Sequence, residues 1–332
     1  MKAKLIPTLN RKRLALQKHI PLVTPLVIYI EPSGYCNLKC VFCPQGLAGS
    51  VLKRDVMSAK LFEKLIDDLS AFPDKIKLLR ICGNGEPLIN KNIVEMLQYA
   101  RKRKVAKKIE LVTNVILLTT DLIKKLPHFL DRIIISINGL CSKDYQRICK
   151  TDVNFQNLLD KLKDLYVSKK KCVIHIKTFS EVVFSKNKKQ QFLKMFGNCC
   201  DEIYIEKVVS MWPKLNIKSS IYNGFRWGGG KFNKHLICAQ IFKGVQVQAN
   251  GQVVPCCVDW KRVNVIGDIN KNSLFEIWNG ELLRKLQSEH LIGNKNKIEP
   301  CKNCTMNDYC DIDNIDLHAK EILQRLHRQE YY

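Results

Sequence analysis

The sequence predicts an α/β fold, a partial (β/α)6 TIM-like barrel with a small C-terminal cysteine-rich domain. Two observations lead there. From residue 26 onward, short β-rich runs alternate with lysine-studded amphipathic stretches, the pattern of repeated βα units around a parallel sheet. After residue 212 the alternation stops and cysteines accumulate.

The candidate strands are 26–31, 76–81, 108–112, 132–137, 173–178 and 202–208, and the helices between them are 58–69, 91–104, 120–126, 154–167 and 188–196. Six units are too few to close an eight-unit barrel. An open barrel follows, with its reactive site where loops leave the strand C-termini. Beyond it lie an irregular stretch with Gly228, Gly229 and Gly230 and then a hairpin pattern, 245–248 and 253–255 around the Asn250-Gly251 turn. The resulting division is a basic extension (1–25), the barrel (26–212) and the cysteine-rich domain (213–332).

A composition 46% hydrophobic and 26% charged is that of a folded globular chain. The formal charge of +24 invites a polyanionic partner. Yet the lysines are spread over helical patterns without the interleaved aromatic residues of a base-stacking surface, so a nucleic-acid partner is not expected. The basic stretch 2–18 suits contact with an acidic partner. The apolar run 20–30 is broken by Pro21 and Pro25, is too short to span a bilayer, and precedes no small-residue cleavage site. A cytoplasmic protein with no membrane span is the expectation.

Fifteen cysteines exceed any packing need, and in a reducing compartment they point away from disulfides. Nine form two sets, while Cys82, Cys141, Cys149, Cys172, Cys199 and Cys200 show no ligand spacing and read mostly as inert buried thiols. The first set, Cys36, Cys40 and Cys43, is a C-x3-C-x2-C arrangement directly after the first strand. Three thiolates in one loop can wrap one face of a cubane cluster and leave one iron open. Structural zinc is the competing reading, but a closed zinc site wants four ligands, and this loop holds no histidine.

These residues, with Phe42 before the third cysteine, resemble the signature of the radical S-adenosylmethionine superfamily. The segment Gly83, Asn84, Gly85, Glu86, Pro87 after the second strand is similar to that family's GGEP segment, with Asn84 replacing a glycine. Thr113 and Asn114 after the third strand, and Ser136 with Asn138 after the fourth, match positions where relatives contact the cofactor, although each also suits plain turn chemistry. The resemblance implies a 4Fe-4S cluster on Cys36, Cys40 and Cys43, and S-adenosylmethionine held by Phe42, Gly83, Gly85, Glu86, Pro87, Asn114, Ser136 and Asn138. It also implies an external electron donor such as flavodoxin or ferredoxin. One departure stands out: relatives often carry an Arg-Gly pair shortly after the fourth strand, where this chain has Cys149 and Lys150.

The second set comprises Cys238, Cys256, Cys257, Cys301, Cys304 and Cys310. With Asn250-Gly251, Gly267-Asp268 and the segment 274–279, it resembles a SPASM domain. A full SPASM domain has seven cysteines and two auxiliary clusters, and no cysteine follows Cys310. The set best matches the single-cluster, twitch-type version, which implies an auxiliary 4Fe-4S cluster on Cys238, Cys256, Cys301 and Cys304. Cys257 and Cys310 are then spare: Cys310 replaces one of the four, acts near the substrate or, as the preferred reading, is an unused remnant, and zinc-ribbon ligation is the alternative for this domain.

The resemblance implies reductive cleavage of S-adenosylmethionine to a 5'-deoxyadenosyl radical and hydrogen abstraction from a substrate. Oxidation of an alcohol on a sugar or cyclitol-type small molecule is the expected outcome, with the auxiliary cluster accepting an electron. Modification of a peptide or protein side chain is the alternative. Lys177, Glu181, Glu206 and Lys207 are candidate bases near later strand ends, and nothing in the sequence ranks them.

Overall fold

A computed structural model describes residues 1–8, 14–209, 211–215, 234–309 and 313–328. The glycine run 228–230 and Cys310 lie outside the described residues. Ten strands form one sheet: β1 (Lys4–Leu5), β2 (Val27–Ile30), β3 (Leu78–Ile81), β4 (Ile109–Thr113), β5 (Arg132–Ser136), β6 (Val173–Phe179), β7 (Glu202–Glu206), β8 (Gly244–Val247), β9 (Gln252–Val254) and β10 (Gly267–Asp268). Their order is β1-β7-β6-β5-β4-β3-β2-β8-β9-β10, an open α/β barrel with β1 and β10 at its edges. Pairing is parallel from β1 through β8, and only β8–β9 and β9–β10 are antiparallel.

Around the sheet lie α1 (Pro44–Leu47), α2 (Ala59–Asp68), α3 (Ile93–Arg103), α4 (Thr120–Phe129), α5 (Ser142–Cys149), α6 (Phe155–Ser168) and α7 (Lys186–Phe196). In the C-terminal part come α8 (Leu274–Trp278), α9 (Glu281–Leu291), α10 (Met306–Tyr309) and α11 (Ala319–Arg328). Ser58, Thr119, Asn154 and Ser185 accept from backbone N–H groups at the starts of α2, α4, α6 and α7, which fixes where those helices begin. No helix among the described residues is long and apolar enough to cross a membrane.

Alternation along the strands sorts the two faces. Ile30, Ile81, Leu111, Ile133 and Ile174 lie in register on neighbouring strands and are buried in the main core with Phe62, Leu65 and Leu97. The opposite parity turns inward. At the barrel's lower end it carries an ion-pair row: Arg80 Nη2 is 2.7 Å from Glu110 Oε2, Arg132 Nη1 is 3.8 Å from Glu110 Oε1, and Arg132 also pairs with Glu202. Thr8 Oγ1 sits 3.0 Å from His175 Nε2, so the N-terminal segment helps to close this end. At the upper end the same parity carries Cys82, Val112, Ser136, Lys177 and Phe179, which face a cavity.

Four features differ from the sequence reading. The N-terminal extension supplies an edge strand, β1, held against β7. Helix α5 lies outside the expected helices, and α4 runs on through Pro127, whose missing N–H falls in the last turn. The fourth concerns the hairpin. It forms as expected, with Gly251 at φ +93° in its turn, but β8 also joins β2 in parallel, so the sheet is continuous from the barrel into the cysteine-rich part.

That junction is tight. A Cβ on Gly244 would lie 1.9 Å from the carbonyl oxygen of Val27, across the β2–β8 pairing. Gly244→Ala therefore forces the two strands apart and is expected to cost about 2–3 kcal/mol. Thermal unfolding followed by circular dichroism should show a midpoint lowered by about 3–4 °C.

Candidate active site

The cysteine loop leaves β2 and is bolted to the end of α5, with Lys39 N donating to Cys149 O (2.9 Å) and Val41 N to Ile148 O (2.9 Å). Cys43 caps α1, where Pro44 takes the first helical position. Gly46 lets α1 pass beneath the loop, since a Cβ there would lie 2.3 Å from Cys40 O. Cys36, Cys40 and Cys43 all face a cavity of about 270 Å³, together with Cys82 and the loop residues Gly83, Asn84, Gly85 and Glu86. The remaining wall includes Phe42, Thr113, Asn114, Ser136, Asn138, Lys177, Phe179, Lys207 and Trp212. The sequence-predicted contact residues thus converge there, with one exception. Pro87 is buried at the start of the turn that follows and does not line the cavity.

Burial pushes the Cys43 thiol up to about 12, and Cys36 is raised further by the same cause. Cys40 is also raised, first by its contact with Cys149, whose Sγ lies 3.5 Å away. Thiolates in such surroundings persist only against positive charge, which bound iron supplies. Donors are already aimed at the sulfurs: Leu38 N lies 3.5 Å from Cys36 Sγ, and Asn138 Nδ2 3.6 Å from Cys40 Sγ. The three cysteines fit a cluster with one open iron.

Glu86 is fully enclosed and raised to about 7 by burial. Its Oε1 accepts from Thr113 Oγ1 (2.6 Å) and Leu88 N (3.1 Å), and its Oε2 from Asn114 N (2.8 Å). The carboxylate thereby ties the end of β3 to the end of β4. Asn114 Nδ2 in turn donates to Asn37 Oδ1 in the cysteine loop (2.8 Å), so three strand ends form one unit. Phe42 packs on Phe179 with centroids 4.7 Å apart, and Trp212 Nε1 donates to Phe42 O (3.0 Å), closing the far side.

A second cavity, about 30 Å³, is lined by Cys238, Cys256, Cys301 and Cys304 among Pro213, Pro255, Pro300, Ile241, Val258 and Met306. All four expected auxiliary cysteines meet there. Val258 N is 3.5 Å from Cys256 Sγ and Met306 N 3.4 Å from Cys304 Sγ. Burial pushes the Cys301 and Cys304 thiols up to about 12, again the state of thiols that need a cation to ionise. Lys295 Nζ, held by Asn307 Oδ1 at 2.8 Å and Cys304 O at 3.3 Å, supplies one positive charge in the wall. Cys257 does not line this cavity and stands near Tyr29 instead, where it helps to raise the tyrosine's pKa.

Family models match the chain over two stretches, the Radical SAM superfamily over residues 30–181 and the SPASM iron–sulfur cluster-binding domain over residues 238–305. The chain belongs to the radical SAM superfamily. Its core uses S-adenosylmethionine with a 4Fe-4S cluster, and its SPASM domain carries auxiliary iron–sulfur chemistry. This radical SAM protein is 24% identical over 329 residues to the tungsten-containing aldehyde ferredoxin oxidoreductase cofactor-modifying protein of Pyrococcus furiosus, covering 86% of this chain and 88% of the relative. Among solved structures, Streptococcus suis SuiB bound to precursor peptide SuiA matches with a TM-score of 0.64 and 19% identity, over 89% of this chain and 73% of SuiB. BtrN in complex with AdoMet and 2-DOIA matches with a TM-score of 0.56 and 18% identity, over 87% and 96%. Both likenesses establish the shared fold.

Cys82 and Cys149 reach the front site although their spacing carries no ligand signal. Strand parity, not spacing, marks Cys82: it continues the inward parity of Arg80 on β3. Anaerobic reconstitution should load about eight irons if both sites take four-iron cubanes. Replacing Cys36, Cys40 and Cys43 together by Ala should halve that content and abolish formation of 5'-deoxyadenosine, whereas continued formation would rule out the front assignment.

Proposed function

We propose that this radical SAM enzyme performs a two-electron oxidation of an alcohol on a sugar or cyclitol-type small molecule. The observation that carries this reading is the meeting of Cys238, Cys256, Cys301 and Cys304 on one cavity. Four thiolates leave a cubane no open iron, and electron transfer is then the role available to it. When bound, S-adenosylmethionine and the front cluster supply a 5'-deoxyadenosyl radical that takes the carbon-bound hydrogen, and the rear cluster supplies an acceptor for the remaining electron.

The chain's own task is the hydroxyl proton. Lys177 lines the front cavity, with Nζ 2.7 Å from Oε2 of Glu206, which is only 1% exposed behind it. As the substrate proton reaches Lys177 Nζ, Lys177 hands one of its own to Glu206 Oε2, which leaves a neutral carboxyl beside the Lys177 ammonium; the positive charge so gained balances the electron that leaves the substrate. Among the four candidate bases this ranks the Lys177–Glu206 pair first. Glu181 lies outside the cavity wall and accepts from Ser180 Oγ. Loss of one hydrogen atom, one proton and one electron converts the alcohol to a carbonyl.

The cofactor-modifying name of the Pyrococcus furiosus relative agrees with a small-molecule substrate. Peptide modification is the second reading, favoured by the likeness to peptide-bound SuiB. A panel of deuterated aminocyclitols, sugars and short peptides discriminates them, since deuterium should enter 5'-deoxyadenosine from the true substrate class. On the responding substrate, Cys301→Ala with Cys304→Ala should retain cofactor cleavage but lose carbonyl product. Lys177→Met should lower product formation by about 10²-fold or more. A folded double variant, with its front iron intact, that oxidised substrate at the parent rate would contradict the acceptor role.

A further inference from the structure

Behind the glycine-rich loop stands a buried carboxylate that the reaction does not use. Glu31 follows β2 with its side chain 1% exposed, and its Oε2 accepts from Asn84 N at 2.7 Å. The loop rests directly on it, because a Cβ on Gly83 would lie 2.4 Å from Glu31 Cγ. Burial raises Glu31 to about 7, while Asn84 N and Arg262 act in the opposite direction. A carboxylate so placed is costly unless paired.

Its partner comes from the other end of the chain. Arg262, with a side chain 2% exposed, reaches Glu31 Oε1 at 3.4 Å through Nη2 and Asp55 Oδ2 at 2.8 Å through Nη1. Its φ of +57° is a left-handed backbone that side chains rarely adopt. The turn is held by Asp259, which accepts from Val263 N at 2.9 Å and Asn264 N at 2.7 Å. Asp259 and Asn264 line the rear cavity beside Cys256. One continuous path therefore runs from the rear cysteines through Asp259 and Arg262 to Glu31, Asn84 and the front cavity.

We propose that Arg262 is a positioning residue by which the rear cluster domain sets the affinity of the front site for S-adenosylmethionine, acting through Glu31 on the loop 83–86. With Arg262 in place, Glu31 Oε1 is paired while Oε2 holds Asn84 N, and the loop keeps the shape that receives the cofactor. Without it, Glu31 either protonates or draws in water, and the loop loses its backing. Linkage makes the effect reciprocal, so bound cofactor steadies the rear loop in turn. The inference rests on the cofactor lying over the loop 83–86.

The test is equilibrium dialysis of S-adenosylmethionine against the iron-loaded holoenzyme, with iron content and circular dichroism confirmed for each variant. Arg262→Met should weaken binding by about ten-fold or more with both clusters retained, about 1.4 kcal/mol. Arg262→Lys should weaken it less, keeping the charge but losing the two-pronged bridge. Glu31→Gln combined with Arg262→Met removes the stranded carboxylate and should recover part of the loss, which a merely disordered loop would not do. If Arg262→Met does not fold, the Arg262→Lys and double variants carry the test, and parental affinity in both overturns the proposal. An iron-replete Arg262→Met protein with the parental dissociation constant overturns it as well. Gly85→Ala separates the two levels: its Cβ would lie 2.1 Å from Ser33 O, so a cofactor over this loop must lose affinity. Parental binding by Gly85→Ala would remove the loop as the cofactor site, whereas loss in Gly85→Ala without loss in Arg262→Met would remove the coupling alone.

Discussion

Strand β2 lies between β3 and β8, with Ile30 opposite Ile81 on one side and Val247 on the other. Each of these strands delivers part of the chemistry. β2 runs into the loop of Cys36, Cys40 and Cys43, β3 into Cys82 and the loop of Glu86, and β8 into the hairpin that ends at Cys256. Parallel pairing makes all three point the same way, so the loops after β2 and β3 and the hairpin turn after β8 emerge at one end of the sheet, and β9 runs back antiparallel to β8 before the chain reaches Cys256. The relative position of the two cysteine cavities is therefore set by backbone hydrogen bonds in register. A slip of one residue in the β2–β8 pairing would turn Val245 and Val247 from the core toward the polar interior.

Buried charge reinforces that register at three depths. The row Arg80, Glu110, Arg132 and Glu202 fills the lower end, Glu86 joins the ends of β3 and β4, and Arg262 joins Glu31 to Asp55. Pairs so well enclosed add little net stability over apolar packing, but breaking one strands a charge. Their effect is to make one arrangement of strand ends far better than its neighbours. Pre-organised thiols benefit directly, since the cost of shaping the loop is met before any iron binds.

Much of this was legible in the sequence because its signals are local. Three cysteines within eight residues, a glycine-rich segment after a strand, and alternating apolar positions each report on a few neighbouring residues, and all six expected barrel strands form. The features without a local signal depend on distant partners. β1 is two residues long and exists only because β7 offers it an edge. The union of β2 with β8 brings Val27 beside Gly244, and no local pattern announces a parallel partner so far along the chain. Cys149 meets Cys40 only once α5 has docked on the loop. Lys177 and Cys82, by contrast, were readable from inward parity once the strands were placed.

Two cavities, one lined by Cys36, Cys40 and Cys43 and one by Cys238, Cys256, Cys301 and Cys304, make a spectroscopic demand of the proposed division of labour. Electron paramagnetic resonance of the reduced, fully reconstituted protein, recorded with and without S-adenosylmethionine, addresses it directly. One of two cluster signals should shift when the cofactor is added, because only the three-cysteine site has an iron to offer, and the other should stay unchanged. A shift of both signals, or of neither, would contradict the division of labour between the open front site and the closed rear one.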